Sequence, residues 1–178
     1  MDISINNVEF NEDSWKNLPK QLGWKQLYAK IKVVLTSKLT EDQTKGVLNE
    51  IDNIIEILVR KGDTYESLVL EIAIVYTLLT NTQLNLNDLN LNINQYVEEG
   101  VNTLVLASNQ GDLKSIFENK KMPYLNKIKL AEYICSLENS KSISNRFRVL
   151  AEAKKVVELF GGITHKGLMK MLIELCKN

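Results

Sequence analysis

The sequence is poor in the residue types on which metal and disulfide chemistry depend. Its 178 residues include one histidine and two cysteines. A single imidazole excludes every metal centre or catalytic dyad that requires two histidines. Two cysteines cannot complete a zinc site by themselves, and a secreted fold held by disulfides would carry more. We therefore predict no bound metal, no cofactor and two inert, buried thiols, Cys135 and Cys176.

The sequence also lacks an excess of positive or negative charge and a long apolar run. Lysine and arginine number 22, as do aspartate and glutamate, so the formal net charge is zero. A nucleic-acid binder needs a clear basic excess to contact phosphates, so no such partner is predicted. The longest apolar run, Ile72 to Leu79, is too short to span a bilayer. Residues 1–13 are polar and acidic, unlike a secretory signal, and a cytoplasmic chain without a membrane partner is predicted.

The sequence is rich in helical periodicity. Hydrophobic residues make up 44% of the chain and charged residues 25%, as in a soluble globular domain. Apolar side chains recur every three or four residues along most of the chain, which indicates amphipathic helices. We predict an all-α, single-domain bundle of about eight helices. A polar tail is predicted over residues 1–13 and the helical domain over residues 14–178.

Several segments predict particular helices. The apolar stripe of residues 48–58 ends at Lys61-Gly62-Asp63, and residues 68–79 are apolar on almost every face, which predicts a central buried helix. A stripe that includes Ile143, Phe147 and Val157 ends at Gly161-Gly162. Further helices are predicted at residues 15–22, 24–39, 97–105 and 125–135, and after a cap at Thr164.

Residues 84–93 do not follow the helical period. Leucine and isoleucine alternate there with asparagine and aspartate, a period of two that by itself indicates a strand. A lone strand would have no partner in a helical chain, and asparagine disfavours strands. A loop with a short helix is therefore predicted for this segment.

Four blocks of sequence carry a more specific signal, and they occur in the order of a known family. Ile72-Ala-Ile-Val-Tyr-Thr-Leu-Leu-Thr-Asn-Thr82 resembles Ala-Ala-Leu-Leu-His-Asp-x-x-Glu-Asp-Thr of the HD-type hydrolases. Lys127-Ile-Lys-Leu-Ala-Glu-Tyr-Ile-Cys-Ser-Leu137 resembles their Val-Lys-Leu-Ala-Asp-x-x-x-Asn-Leu. The other two blocks are Asn49-Glu50 with Ile54-Ile-Glu-Ile-Leu58, and Ala153-Lys-Lys-Val-Val-Glu-Leu-Phe-Gly161. Over residues 26–177 the chain resembles the guanosine tetraphosphate hydrolase domain of the RelA/SpoT family in its small stand-alone form.

The resemblance implies an HD-type fold whose metal-binding residues have been replaced. The family holds a divalent ion, commonly manganese, with histidines and an aspartate, and the ion presents an activated water to a pyrophosphate ester. At the corresponding positions this sequence has Glu50 for the first histidine, Tyr76 and Thr77 for the His-Asp pair, Thr80 and Asn81 for the Glu-Asp pair, Glu132 for the late aspartate, and Ser136 for the asparagine that follows it. By this resemblance the seven side chains form a candidate ligand pocket.

Neutral side chains cannot replace the chemistry of that metal. A bound metal lowers the pKa of its water from about 15.7 to about 7. The hydroxyls of Tyr76, Thr77 and Thr80 neither bind a divalent ion tightly nor act as bases near neutral pH. Glu50 and Glu132 would hold magnesium weakly if they faced each other, although solvation or a hydrogen bond from Tyr76 is the more frequent outcome. Metal-dependent hydrolysis is therefore predicted to be absent.

A few other side chains admit two interpretations. Arg146 and Arg148 belong to a basic stretch that is either a solvated helix face or, because the family's substrate is heavily phosphorylated, a phosphate contact. Lys38 lies near a basic position that contacts the nucleotide in the family. His165 is predicted to be exposed to solvent. Trp15 and Trp24 are predicted to cover the core, with a protein-binding patch as the alternative.

The sequence supports one leading hypothesis and two alternatives. The leading hypothesis is a catalytically inactive relative of the RelA/SpoT-type hydrolase domain, kept as a binding or regulatory module with a guanine nucleotide or another phosphorylated small molecule as the candidate ligand. The first alternative is a module that binds or inhibits a protein partner and has a closed, vestigial pocket. The second is a divergent magnesium-dependent phosphohydrolase that uses Glu50 and Glu132.

Overall fold

A computed structural model describes residues 23–162 and 166–177 of the chain. Within this part the chain forms nine helices and no strand, and the prediction of an all-α domain is confirmed. The helices are α1 (Gly23–Lys38), α2 (Glu41–Arg60), α3 (Ser67–Asn81), α4 (Leu86–Leu89), α5 (Gln95–Gln110), α6 (Lys114–Phe117), α7 (Leu125–Asn139), α8 (Ile143–Phe160) and α9 (Lys166–Lys177). The predicted tail, the helix at 15–22, Trp15, the Thr164 cap and His165 lie outside the described residues.

Helix α3 is the centre of the fold. Nine of its 15 residues are buried, and it packs against α1, α2, α5 and α7. A helix that is apolar on almost every face needs protein neighbours on almost every side, and the prediction of a central helix is confirmed. Two polar residues of α3, Tyr76 and Thr77, are enclosed together with the apolar ones. Burying a hydroxyl group costs free energy unless it is hydrogen-bonded: the Tyr76 hydroxyl has protein partners, whereas the Thr77 hydroxyl has none among the described residues.

Helix α2 begins before its apolar stripe. Thr40 is its N-cap: the Thr40 hydroxyl accepts a hydrogen bond from the Gln43 backbone N–H at 3.3 Å, and the Gln43 side chain accepts one from the Thr40 N–H at 3.1 Å. This capping box satisfies two backbone donors at the helix start. The predicted stop is confirmed, because α2 ends at Arg60 and the chain turns through Asp63 with a φ of 45°.

Helix α8 buries a different face from the predicted one. The apolar stripe predicts Ile143 and Phe147 in the core, but these side chains are 75% and 68% exposed. The buried residues of α8 are Val149, Ala153, Val156 and Phe160. Both sets have helical spacing, so spacing alone cannot choose between them. The choice is made by the neighbours α7 and α9, against which α8 packs.

The segment at 84–93 is a loop with a single helical turn, as predicted. The Asn85 side chain accepts from the Asp88 N–H at 3.1 Å, and the Asp88 carboxylate accepts from the Asn85 N–H at 2.8 Å. Asn90 ends this turn in the left-handed region with a φ of 45°. The alternating leucines pack against the core from a loop, which explains the strand-like period without a strand.

The remaining predictions about the core are largely confirmed. Trp24 is buried, and Cys135 is fully buried. Burial, followed by the nearby Glu50 carboxylate, raises the pKa of the Cys135 thiol to about 12, which makes it inert at neutral pH. Cys176 is only partly buried, in contrast to the prediction, because it lies in the last turns of α9. No described helix combines the length and apolar character of a membrane span.

Gly100 provides a test of the packing between α3 and α5. A Cβ added at Gly100 would lie 2.6 Å from Ile72 Cδ1, whereas one added at Gly46, on α2, would meet no atom within 4 Å. Alanine stabilises an exposed helix interior over glycine by about 0.5–1 kcal/mol. We expect Gly46→Ala to raise the free energy of unfolding by about this amount in urea unfolding. Gly100→Ala should not raise it, because the added methyl group would overlap with Ile72.

A second substitution separates overlap from other causes. Ile72→Val removes the Cδ1 atom, so we expect the cost of Gly100→Ala to be smaller in the Ile72→Val background than in the natural sequence. If Gly100→Ala were as stabilising as Gly46→Ala, the close approach of α5 to α3 would be wrong.

Candidate functional site

A cavity of about 970 Å³ lies between α2, α3, α5, α7 and α8, with part of its wall from the α3–α5 connection. Small-molecule sites in proteins usually measure about 300–1,000 Å³. The wall includes all seven side chains of the candidate pocket: Glu50, Tyr76, Thr77, Thr80, Asn81, Glu132 and Ser136. Residues from three helices, separated by up to 86 positions in the chain, are therefore brought to one place.

Helix α3 supplies four of the seven side chains. Tyr76 and Thr77 are buried, whereas Thr80 and Asn81, one turn later, are exposed. The Thr80 hydroxyl donates to the Tyr76 carbonyl at 3.0 Å, and the Asn81 amide donates to the Thr77 carbonyl at 2.9 Å. These two donors are thus used within α3. Thr80 and Asn81 shape the exposed side of the cavity, and Tyr76 and Thr77 form its interior.

A buried lysine organises the interior of the cavity. Lys129 on α7 is 5% exposed, and its ammonium group donates to Glu132 Oε2 at 2.7 Å and to the hydroxyl oxygens of Tyr76 and Ser108, both at 3.2 Å. The Tyr76 hydroxyl donates to Glu132 Oε2 at 2.9 Å and lies 3.1 Å from Ser108 Oγ. A buried charge is tolerated when it is paired and hydrogen-bonded, and Lys129 meets both conditions. We call these four residues the Lys129 cluster.

Two aromatic rings add to the stabilisation of this ammonium group. Lys129 Nζ lies 5.1 Å from the centre of the Tyr133 ring and 5.8 Å from that of Tyr76. Both distances are within the range of a cation–π interaction, which strengthens when the cation is removed from water. The lysine is therefore held by a carboxylate, two hydroxyls and two ring faces, and its position is fixed.

The environment keeps the Tyr76 hydroxyl protonated. Burial, followed by the negative charge of Glu132, raises the pKa of Tyr76 far above its ordinary value. Burial likewise raises the pKa of Tyr133. Both side chains are therefore neutral near pH 7. Tyr76 acts as a hydrogen-bond donor to Glu132 and cannot serve as a general base.

The donor set does not fit the divalent ion that the resemblance implies. Glu132 stands at the position of a metal-binding aspartate, but its carboxylate is paired with an ammonium at 2.7 Å, which would repel a metal ion. Glu50 accepts only a weak hydrogen bond from Cys135 Sγ at 3.5 Å. In residues 23–162 and 166–177, no three His, Cys, Asp or Glu side chains are grouped closely enough to hold a metal. The positive charge next to Glu132 is that of the Lys129 ammonium group.

Two buried hydroxyl groups in the cavity wall lack a hydrogen-bond partner among the described residues. They belong to Thr77 and Tyr133, which are 1% and 3% exposed. An unsatisfied buried polar group costs about 1–3 kcal/mol, and native proteins seldom carry one without a reason. Both oxygen atoms are themselves enclosed by protein, so they lie at buried points of the wall and not on its solvent-accessible surface.

The predicted phosphate contacts are not brought together. Arg148 on α8 lines the cavity, where it lies 3.4 Å from the Glu152 carboxylate and donates to Asn145 Oδ1 at 2.9 Å. Arg146 is exposed and is not among the described residues of the cavity wall, because two residues along a helix turn a side chain to another face. Lys38, the last residue of α1, is not part of that wall either.

Sequence reasoning missed three residues of the site: Lys129, Tyr133 and Ser108. Lys129 belongs to the Lys-Leu-Ala block, and its place three residues before Glu132 was the available signal, since such pairs share a helix face. Tyr133 follows Glu132 directly. Ser108 had no local signal, because only the packing of α5 against α3 brings it to the Tyr76 hydroxyl.

Comparison with known proteins identifies no relative of this chain. No protein-family model, no curated protein and no solved structure matches the chain. The resemblance to the HD-type hydrolases therefore depends on the sequence blocks and on the residues around the cavity.

Breaking the pair between Lys129 and Glu132 is expected to destabilise the fold. Lys129→Met leaves the Glu132 carboxylate without its cation, and removing one partner of a buried ion pair costs about 3–5 kcal/mol. Because the Glu132 side chain is 27% exposed, we expect the free energy of unfolding to fall by about 2–3 kcal/mol, as measured by urea unfolding. Glu132→Gln in the Lys129→Met background should restore part of that loss, because no unpaired charge remains.

A surface pair provides the matched control. Lys121 forms an ion pair with Glu99 at the protein surface. Lys121→Met removes the same chemical group as Lys129→Met, and we expect it to leave the stability almost unchanged because solvent screens the pair. Equal effects of the two lysine substitutions would contradict a structural role for the Lys129 cluster.

Proposed function

We propose that this chain is a catalytically inactive relative of the RelA/SpoT-type hydrolase domains, a cytoplasmic binding or regulatory module that holds a small polar ligand without a metal. One observation carries the proposal: the seven positions that the resemblance assigns to the family's active site line one cavity, and a lysine provides its central positive charge. A fold can be kept for recognition after its chemistry is lost, since function depends on the site rather than on the fold.

The arrangement of the Lys129 cluster supports the loss of hydrolysis. Attack of water on a pyrophosphate ester requires a metal-bound hydroxide or a free base next to the water. Glu132 is already bound by the Lys129 ammonium and the Tyr76 hydroxyl, and Tyr76 remains protonated. These groups are arranged to satisfy one another, which suits a rigid binding surface.

The state of the cavity supports ligand binding over a vestigial pocket. The alternative hypothesis of a vestigial pocket expects bulky side chains to close the cavity. Here about 970 Å³ is open, and the wall consists mainly of polar and charged side chains. An open cavity with convergent polar groups is typical of a small-molecule site.

A protein-binding module is the second candidate, and one observation favours it. Ile143 and Phe147 lie one turn apart on α8 and are largely exposed. Exposed apolar side chains on the same helix face are typical of contacts with another protein. Pull-down with a Phe147→Ser variant as the control would test this candidate separately from the cavity.

Ligand binding is tested with a cavity-filling variant. We expect at least one compound from a panel of guanosine tetraphosphate, GDP, GTP, guanosine and spermidine to raise the melting temperature. Binding at 100 times the Kd adds about 2.7 kcal/mol of stability, which corresponds to about 5–10 °C for a chain of this size. Ser136→Phe, which projects a ring into the cavity, should abolish the shift. Ser144→Phe, outside the cavity wall, should keep it.

Hydrolysis is measured on the same protein. We expect no pyrophosphate release from guanosine tetraphosphate with manganese or magnesium present. A metal-dependent release that Glu132→Gln abolishes would overturn the assignment as an inactive module. A panel without any shift, or a shift that Ser136→Phe leaves intact, would overturn ligand binding in the cavity.

A further inference from the structure

The cavity wall carries more negative than positive charge. Its charged side chains are four carboxylates and two cations: Glu50, Glu98, Glu132, Glu152, Lys129 and Arg148. Both cations are already paired, Lys129 with Glu132 at 2.7 Å and Arg148 with Glu152 at 3.4 Å. The two remaining carboxylates therefore determine the net charge that a ligand meets.

These remaining carboxylates, on Glu50 and Glu98, have no cationic partner among the described residues. Glu50 is half-buried and contacts the Cys135 thiol at 3.5 Å, a weak hydrogen bond. Glu98 is exposed at the edge of the cavity. Glu50 belongs to α2 and Glu98 to α5, two helices that both pack on α3. The negative charge is thus held at two separate points of the wall.

The rest of the wall is rich in hydrogen-bond acceptors. Six asparagines line the cavity: Asn81, Asn85, Asn87, Asn102, Asn109 and Asn145. Each side-chain carbonyl has two lone pairs, and an ammonium group brings three donors. A ligand with several N–H donors is therefore matched by the wall.

We infer that the cavity binds a small molecule with two or more protonated amino groups, such as a diamine or a polyamine. This inference rests on the proposed function, because it names the ligand class of the same cavity. One amino group pairs with Glu50 and another with Glu98, and asparagine side-chain carbonyls of the wall accept the remaining N–H donors. The ligand's charge compensates two carboxylates that the protein leaves without a cation.

A phosphorylated nucleotide fits the same wall poorly. Its phosphates would be repelled by Glu50 and Glu98, and the two cations of the wall are already paired. A phosphate at Arg148 would compete with Asn145 and Glu152, which the guanidinium group already contacts. Selection between the two ligand classes therefore depends on the net charge of the wall.

Calorimetric titration with spermidine tests the inference on the full chain. We expect saturable binding that Glu50→Gln and Glu98→Gln each weaken by about 5–10-fold, because each removes one charge partner. Glu158→Gln is the matched control: it removes the same charge from an exposed site on α8 outside the cavity wall. It should change the affinity by less than about twofold, since distant exposed charges are screened by salt.

Each outcome of this titration decides the inference. Equal weakening by Glu158→Gln and Glu50→Gln would show diffuse attraction to an acidic surface and would overturn it. Binding of GDP or guanosine tetraphosphate that Ser136→Phe abolishes, without spermidine binding, would also overturn it and leave the proposed function in place. If no compound bound, both proposals would fail. Glu98 is exposed, so Glu98→Gln remains a valid test even if Glu50→Gln disturbs folding.

Discussion

The burial of the Lys129 ammonium group is the constraint on which the candidate site depends. A positive charge that is 5% exposed requires a carboxylate and enough acceptors for its protons, and the protein supplies them from three helices. Tyr76 comes from α3, Ser108 from α5 and Glu132 from α7. The same hydrogen bonds that satisfy the lysine therefore fix the relative positions of the helices around the cavity.

This arrangement places a positive charge next to an acidic side chain without using a histidine. A metal ion and a buried lysine both place positive charge next to an acidic side chain, but only the metal can bind and activate water. The lysine uses its three protons on protein acceptors and leaves the rest of the cavity open. We propose that the carboxylates of Glu50 and Glu98, which have no cationic partner among the described residues, select the ligand of the open space.

Much of the fold was predictable from local pattern, and the errors concern which face of a helix is buried and which polar side chain lies inside. The uniformly apolar segment at 68–79 predicted a central helix because such a helix has no face for water, and α3 is that helix. Ile143 and Phe147 were placed on the wrong side of α8, because two faces of that helix are apolar enough to pack. In the site, the seven candidate positions came from motif order, whereas Lys129 was missed because lysine is usually exposed.

The sequence by itself determined the helices, the central place of α3 and the lack of imidazoles for a metal site. These properties follow from residue type and from spacing within one helix, which the chain carries locally. Tertiary structure alone decided which face of α8 is buried, that Lys129 lies inside, and which carboxylates of the cavity are left unpaired. These properties depend on distances between residues up to 85 positions apart, such as Glu50 and Cys135, and helix packing sets those distances.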